Sequence, residues 1–341
     1  MNSGAIACGS DAPCLQTGDA CTLEREISTV SLRPGEEIDQ LCQSWTLDNP
    51  TELWVSNVRM QNGGMYHHSN WFYVPDDKYP QPDGAWPCSD GNFSELDAAI
   101  VGGYLFAQST QVADESQTFA DGVAVRIPPW SRVIGASHLL NTSDEPVSTS
   151  MTMRIDTITR EDVRVRLTPG RLQYVDLRLE PRARSAFTMD CDLADNHQRV
   201  MGTPLTYKVH YALPHFHGLG RNARLEVLGG PSAGLDIYDV MGHGMSWGRG
   251  FDPPIDLAGA TGLRFTCAYD NPRDVAVGWG IGDQEMCVTA IFAETDLAIE
   301  ATVTRNSAVT GTGTDGTIEH AGPCTILGVP WNHDKPGGPP R

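Results

Sequence analysis

The sequence predicts an all-β protein built from antiparallel sandwiches. Alternation of apolar and polar residues with a period of two, typical of half-buried strands, dominates the chain. Helical periodicity is scarce, and "FSELDAAIVGG" after Asn92 is the best candidate for a short helix. The 35 glycines and 23 prolines interrupt the alternating segments, as turns do in such sandwiches.

The alternation is clearest in "SMTMRIDTIT", where Met151, Met153 and Ile155 share one face and polar residues occupy the other. The segments "VRVRL" from Val163 and "LRFTC" from Leu263 alternate in the same way. We expect strands at all three.

Two domains of ordinary size fit into 341 residues. In "RLTPGRLQYVDL" the pair Pro169-Gly170 separates two strand patterns, which predicts a boundary there. We predict a cysteine-bearing N-terminal extension (1–25) and two β-sandwich domains in tandem with jelly-roll-like folds (26–168 and 169–298). A Gly/Thr/Pro-rich tail (299–341) follows, and its end is predicted to be disordered.

The charge balance argues against a nucleic-acid partner. Asp plus Glu number 43 and Lys plus Arg 24, so the net charge of −19 would repel a phosphate backbone. The longest apolar stretch, "AAIVGGYLFA" from Ala98, has about half of the roughly 20 residues that a spanning helix needs. We therefore predict no transmembrane segment.

Nine cysteines without a CxxC pair favour disulfides, and with them a secreted or periplasmic location. The start, "MNSGAIACGS", is too short and polar for a signal peptide, so we expect that a targeting segment has been removed. Ala7-Cys8-Gly9 has two interpretations. It is either the remnant of a lipoprotein cleavage site, or Cys8 is an ordinary disulfide cysteine.

His215 and His217 in "HYALPHFHGLG" are candidate metal ligands. In a regular strand they continue an apolar, inward-facing row that contains Leu213, Tyr211 and Val209. Unpaired polar rings are costly in such a row, and a metal would satisfy both. The alternative is that both rings hydrogen-bond to backbone or water near a strand end.

Three further candidates are weak when taken alone. His67 and His68 are adjacent, so joint ligation requires a β-bulge or the use of different ring nitrogens. His138, in "VIGASHLLNTS", also fits a core or edge position. Met286 is predicted to share a strand face with Val288, where it is either core filling or a soft thioether ligand that selects Cu(I).

Together, "HHSNW", "ASHLL", "HFHGLG" and "DQEMC" resemble the copper type II, ascorbate-dependent monooxygenases, which include the peptidylglycine hydroxylating monooxygenases and dopamine β-monooxygenase. The pieces follow the family's order at similar spacings: 70 residues from His68 to His138, 77 from His138 to His215 and 69 from His217 to Met286. The resemblance covers roughly residues 26–298 and also includes "LDNPTELWVSN" and "FDPPIDLAGATGLRFTC".

The resemblance implies two jelly-roll domains, each with one copper site across an open cleft. It also implies ascorbate or another reductant as electron donor, O2 as co-substrate, and hydroxylation of a substrate C–H bond. The electron-storing copper would be bound by His67, His68 and His138. The copper that meets O2 and substrate would be bound by His215, His217 and Met286, which are the implied catalytic residues.

The resemblance further implies disulfides between Cys42 and Cys88, which would tie down the strand of His67 and His68, and between Cys267 and Cys287 beside Met286. Cys191 with Cys324 is a third implied pair. Cys8, Cys14 and Cys21 then remain, which is consistent with one pair plus one lipidated or free thiol.

The chain departs from the family where the peptide-hydroxylating relatives hold a substrate carboxylate. Leu213 stands in place of their Arg, and Val288 and Ala290 stand in place of their Asn and Tyr. This apolar trio predicts an uncharged substrate. An equally open interpretation is that the pocket handles no organic substrate.

Two other functions remain open: a copper carrier, store or electron relay without hydroxylase activity, and a zinc hydrolytic or hydratase site on the HxH pair. "GPSAG" around Ser232 fits a hydrolase motif but is interpreted as a turn. Met241, His243 and Met245 form either a soft Cu(I) accessory site or an exposed loop. The remaining histidines are predicted to lie at the surface: His197, His210, His320 and His333.

Overall fold

A computed structural model describes residues 7–8, 13–109, 112–242, 247–280 and 282–339. The chain divides into two compact units. Unit 1 comprises Met1–Leu167 and Asn332–Arg341, and unit 2 comprises Thr168–Trp331. Strands arranged in β-sandwich-like jelly rolls dominate, which confirms the predicted all-β class.

Unit 1 contains twelve described strands and two α-helices, α1 (Pro13–Thr17) and α2 (Glu95–Val101). The strands are β1 (Ala7–Cys8), β2 (Thr22–Leu32), β3 (Glu37–Thr46), β4 (Leu53–Asn62), β5 (Tyr66–Pro75), β6 (Gly84–Pro87), β7 (Gly103–Ala107), β8 (Asp114–Thr118), β9 (Val123–Ile127), β10 (Ser131–Leu140), β11 (Val147–Ile158) and β12 (Val165–Arg166).

These strands form two sheets. The first has the order β1-β2-β11-β4-β9-β12, with β8 also paired to β4. The second has the order β6-β3-β10-β5-β7 and carries His67, His68 and His138 on the neighbouring strands β5 and β10. Residues 13–25, predicted as part of an extension, instead include α1 and the start of β2, which pairs with β11.

The alternation in "SMTMRIDTIT" correctly predicts β11, where Met151, Met153 and Ile155 are fully buried. "VRVRL" is a strand only over β12, because a short 3₁₀ turn at Arg160–Asp162 precedes it and its pairing with β9 covers two residues. The predicted helix is α2. The Ser94 hydroxyl accepts a hydrogen bond from the Asp97 amide and so caps its first turn.

Unit 2 contains fourteen described strands and one helix, α3 (Leu193–Met201). The strands are β13 (Thr168–Tyr174), β14 (Arg178–Leu179), β15 (Ala183–Cys191), β16 (Lys208–His215), β17 (Gly220–Leu228), β18 (Asp236–Met241), β19 (Arg249–Asp256), β20 (Gly262–Asn271), β21 (Val277–Gly278), β22 (Val288–Glu294), β23 (Leu297–Val303), β24 (Ala308–Thr312), β25 (Ile318–Ala321) and β26 (Thr325–Pro330).

The two large sheets of unit 2 have the orders β19-β16-β22-β13-β23-β26 and β18-β17-β20-β15-β25-β24, and β14 pairs with β21. Apolar side chains from both large sheets form one buried core. Phe187 of β15, Phe265 of β20 and Ile291 of β22 are among its fully buried members. "LRFTC" lies in β20, as predicted.

Pro169-Gly170 does not separate two strands. Both residues lie inside β13, where Pro169 pairs with Phe292 and Gly170 with Ile291 of β22. The division between the units falls just before them, between Leu167 and Thr168.

Residues 299–331 are not a tail. They complete β23 and form β24, β25 and β26, and β23 lies between β13 and β26 in its sheet. Leu297, Ile299 and Val303 alternate as buried residues of the unit 2 core, so the strand pattern continues past the predicted end. Gly and Thr dominated the composition here and obscured that alternation.

The described residues contain four disulfides. Cys42–Cys88, Cys191–Cys324 and Cys267–Cys287 are the three pairs that the resemblance implies, and Cys14–Cys21 is the fourth. Cys42–Cys88 joins β3 to the turn after β6, not to the strand of His67 and His68. Four disulfides are typical of a periplasmic or extracellular protein. No helix in the described part of the chain is long and apolar enough to cross a membrane.

Candidate metal centres

The histidines of unit 1 come together through a β-bulge. His138 of β10 pairs with His68 of β5, but the next pair is Leu139 with Tyr66, so His67 is an extra residue in β5. The bulge breaks the alternation that would send adjacent side chains to opposite faces. It supplies the local distortion that the adjacent pair requires.

The three rings are mutual neighbours. Ring centroids lie 5.6 Å apart for His67 and His68, 4.9 Å for His67 and His138, and 5.4 Å for His68 and His138. Imidazoles that bind one metal at about 2.0 Å have centroids within about 6 Å of one another. The spacing of the rings therefore fits a shared metal ion.

A carboxylate orients the most buried of these rings. His138 is 1% exposed, and its Nε2–H donates to the Glu37 carboxylate at 2.7 Å. In the neutral ring the lone pair is then on Nδ1, a buried atom without a hydrogen-bond partner among the described residues. A carboxylate behind a histidine is the usual arrangement for a metal ligand, since it fixes the tautomer and raises basicity.

The HxH pair of unit 2 lies at the end of β16. His215 is the last residue of that strand and pairs with Val288 of β22, and His217 follows two residues later. Both residues are buried, and their ring centroids are 5.3 Å apart with planes at 87°. This spacing also fits two ligands of one metal.

The predicted apolar row behind the pair is interrupted. The register of β16 shifts between Val209 and Tyr211, which makes His210 a bulge residue. Val209 faces the unit 2 core, as does Ala212, whereas Tyr211, Leu213 and His215 lie on the opposite face. The single inward-facing row was therefore wrong, because one extra residue exchanges the two faces.

Met286 was predicted to lie in the strand of Val288, but it precedes β22, which begins at Val288. Its backbone carbonyl accepts a hydrogen bond from the Tyr269 hydroxyl at 2.6 Å, and its side chain is partly exposed. The adjacent Cys287 is bound to Cys267 of β20. Met286 is therefore attached to β20 from two sides.

The two residues before Met286 are Gln284 and Glu285. Both form hydrogen bonds with the loop after β16 that contains His217. The Nδ1 of His217 is 2.9 Å from the Gln284 carbonyl oxygen. Because a carbonyl only accepts, Nδ1 carries the proton and the neutral ring has its lone pair on Nε2. This contact places Met286 two residues along the chain from a group that orients His217.

Glu285 is a site residue that sequence reasoning missed. Its buried carboxylate accepts hydrogen bonds from the backbone amides of His217 at 2.9 Å and Leu219 at 2.7 Å. Burial raises the pKa of Glu285 to about 7, while these amides act in the opposite direction. The only signal in the sequence was a glutamate beside the predicted methionine ligand.

The predicted pocket residues lie beside His215. Leu213 pairs with Ala290 across β16 and β22, next to the pair of His215 and Val288. All four side chains occupy one sheet face, because cross-strand partners share a face. Leu213 and Ala290 are buried, and Val288 is partly exposed.

Two histidines predicted at the surface are buried. His197 has its Nδ1 2.9 Å from the Thr203 carbonyl oxygen, and His210 is 4% exposed in its bulge. Ser232 lies in a turn, as predicted. Met241 ends β18 with an exposed side chain, whereas His243 and Met245 lie outside the described residues.

No protein-family model matches the chain, and no curated protein matches it. Among solved structures it is similar to the major capsid protein P2 from Bacteriophage PM2 (7% identity, 79% of this chain and 97% of that chain, TM-score 0.27). It is also similar to the PBSX exported protein XepA (8%, 79% and 86%, 0.22) and to a putative secreted protein from Parabacteroides distasonis ATCC 8503 (7%, 81% and 89%, 0.20). Likenesses with such TM-scores carry no argument about function.

Proposed function

We propose that the protein is a copper-dependent monooxygenase that hydroxylates a C–H bond of an uncharged substrate, using O2 and a reductant such as ascorbate. The observation that carries this proposal is the contact between Gln284 and His217. It brings the segment of Met286 beside the HxH pair, and two imidazoles with a thioether form a donor set that favours Cu(I).

Copper in these centres would supply one-electron redox chemistry and an open coordination position for O2. The protein's contribution is to orient the donors. The Gln284 carbonyl fixes the proton of His217 on Nδ1, and Glu37 fixes the proton of His138 on Nε2. Each ring then presents its other nitrogen to a metal.

The two centres would have different roles because their donors differ. His67, His68 and His138 provide three imidazoles, which suits electron storage. His215, His217 and Met286 include the softer thioether, and the apolar side chains of Leu213, Val288 and Ala290 lie beside this centre. None of these three side chains is charged, and the cation on the neighbouring strand, Arg171, forms an ion pair with Glu300 at 2.9 Å, which favours an uncharged substrate.

The cysteines support a location outside the cytoplasm. Eight of the nine form the four disulfides, and Cys8 is the ninth. We propose that Cys8 carries a lipid anchor. Mass spectrometry of the protein from its native membrane fraction tests this, and an unmodified Cys8 would contradict it.

A copper carrier, store or electron relay is the second candidate. It is favoured by Leu213 and Ala290, because these buried side chains are apolar and offer no polar group to a substrate. This function requires copper binding without product formation and without substrate-dependent O2 uptake.

The first experiment is the copper content per chain after loading and desalting. We expect about two coppers in the wild type, and about one in both Met286→Ile and His138→Ala. His333→Ala, a histidine outside both centres, is the control and should retain about two. One copper or none in the wild type would contradict the two-centre proposal.

Replacing Val288 with Phe tests the substrate pocket. Val288 pairs with His215 and is partly exposed, so the larger ring should block substrate without removing a ligand. We expect lower ascorbate-dependent turnover at unchanged copper content. Unchanged turnover would show that the pocket lies elsewhere.

A further inference from the structure

We propose that Glu285 is a positioning residue that holds the His217 loop against the Met286 segment, so that the ligands are in place before a metal arrives. This inference rests on the proposed function, because it concerns the same centre. Glu285 itself is no ligand in this proposal, since both of its carboxylate oxygens bind backbone amides.

The contacts of the carboxylate are specific. Oε2 accepts from the His217 amide at 2.9 Å, and Oε1 accepts from the Leu219 amide at 2.7 Å. His217 and Leu219 lie beyond the end of β16, where a strand partner no longer satisfies the backbone. A buried amide without an acceptor is costly, so the carboxylate that satisfies the buried His217 amide and the partly buried Leu219 amide stabilises this loop in one conformation.

The backbone of Glu285 is itself fixed. Its amide donates to the Gly278 carbonyl at 2.9 Å, and its carbonyl accepts from the Gly280 amide at 3.1 Å. The next residue, Met286, accepts from the Tyr269 hydroxyl. The carboxylate therefore extends from a rigid segment, and the loop that it binds acquires the same rigidity.

Glu285 and Gln284 act on His217 at different atoms. Glu285 holds the backbone amide, and the Gln284 carbonyl orients the ring through Nδ1. If the loop moved away, the ring contact would be lost with the backbone contact. Preorganisation of this kind increases affinity by lowering the ordering cost of binding.

Glu285→Gln is the sharpest variant, because it keeps the size and removes one acceptor oxygen. The amide NH2 of Gln would face one of the two backbone amides and repel it. We expect the Cu(I) affinity of the His215, His217 and Met286 centre to fall about 10-fold to 100-fold, as for other groups that orient metal ligands. The three-histidine centre should keep its affinity.

Affinity is measured by competition with a colorimetric Cu(I) chelator, and sulfur ligation by X-ray absorption. Glu294→Gln is the control, since it makes the same change in β22 on a carboxylate that binds the Lys208 amine at 3.1 Å. We expect Glu285→Gln alone to weaken the sulfur signal. Equal affinities and equal sulfur signals in Glu285→Gln and the wild type would overturn the inference.

A metal-free measurement separates this inference from the proposed function. In the apo protein, hydrogen exchange at the His217 and Leu219 amides should be at least 10-fold faster in Glu285→Gln, and ¹⁵N NMR should show loss of the pure Nδ1–H tautomer of His217. If the wild type binds no Cu(I) through Met286, the proposed function fails while this measurement still tests the positioning role. Unchanged exchange and tautomer would refute the role.

Glu285→Asp serves if the Gln variant does not fold. The shorter side chain keeps the charge and reaches at most one amide. We expect faster exchange at one of the two amides and a smaller loss of Cu(I) affinity. Wild-type protection of both amides in the folded Asp variant would contradict the inference.

Discussion

The partners of each ring separate candidate ligands from structural histidines. The Nδ1 of His197 is 2.9 Å from the Thr203 carbonyl, and its Nε2 is 3.5 Å from the Thr206 hydroxyl, so protein atoms engage both nitrogens. In His138 the Glu37 carboxylate engages Nε2 and fixes the tautomer, and in His217 the Gln284 carbonyl does so at Nδ1. Burial alone does not separate these histidines, since all three are buried.

Glu37→Gln tests this distinction in unit 1. The neutral amide is a weaker acceptor for the Nε2–H of His138, so the opposite nitrogen becomes less basic. We expect the copper affinity of the three-histidine centre to fall about 10-fold, measured by chelator competition. Asp39→Asn, an exposed change in the same strand, is the control, and an equal loss in both variants would contradict the prediction.

We expect the free energy of unfolding of unit 2 to depend on pH because of the buried His210. Burial lowers its pKa from the ordinary 6.5, against the opposing effect of Glu294, whose carboxylate is 3.9 Å from Nε2. Lys208 also lowers this pKa, and Asp252 raises it. Below pH 6.5 the unfolded chain binds a proton that the folded chain does not, so acid removes stability.

His210→Phe should therefore gain stability relative to the wild type as the pH falls below 6.5. Urea unfolding of both proteins at pH 7.5 and pH 5 measures the difference. A difference that does not change with pH would show that His210 does not titrate differently in the folded and unfolded chains. Taking the difference between the two proteins removes the opposite contribution of Glu285, whose pKa burial raises.

Alternation in the sequence predicts the regular strands but not their bulges. Met151, Met153 and Ile155 are buried as expected, because β11 is regular along that stretch. The bulges at His67 and His210 add one residue to a strand, and no residue type marks them. The bulge at His67 therefore brings the rings of His67 and His68 close together. The bulge at His210 places Val209 and Tyr211 on opposite faces, which interrupts the apolar row predicted before His215.

The candidate metal centres also contain residues that a local sequence pattern predicts and residues that it does not. Their candidate histidines were predicted from the HxH pattern and from the resemblance, whereas Glu37 and Glu285 were not predicted, because both contact these histidines from distant elements. Glu37 is 101 residues away from His138 in the chain, and Glu285 is 68 away from His217. Such pairs leave no local pattern that periodicity detects.

The disulfides predict unequal losses of stability. Cys191–Cys324 closes 133 residues and Cys14–Cys21 closes 7. In the chain-entropy description these loops correspond to about 5 and about 2 kcal/mol of stabilisation. Replacing each pair by Ala should therefore cost unit 2 more than unit 1.

Urea unfolding of the two double variants measures these losses. The Cys14 and Cys21 variant is the internal control, because it removes a disulfide of the other unit. Equal losses would show that loop length does not govern the stabilisation in this chain.

Residues 332–339 follow unit 2 in sequence but belong to unit 1. The Lys335 amine donates to the carbonyls of Ile100 and Gly102, at 3.0 Å each. Arg126 donates to the Lys335 carbonyl at 2.8 Å, and Arg166 forms an ion pair with Asp334 at 3.0 Å. Composition predicted disorder because "HDKPGGPPR" has few apolar residues, and these contacts are polar.

Deleting residues 332–341 should therefore destabilise unit 1 and leave unit 2 unchanged. Several hydrogen bonds worth about 1 kcal/mol each suggest a loss of about 1–3 kcal/mol, measured by urea unfolding. An unchanged stability of unit 1 after the deletion would show that the segment contributes nothing to it.

Lys335→Met separates the contribution of the amine from that of the rest of the segment. Burial lowers the pKa of Lys335 from 10.5 to about 8, so between these values the unfolded chain binds the extra proton and stability rises with pH. The Met variant should lack this rise. If the Met variant retains the rise of stability with pH, another group is responsible for it.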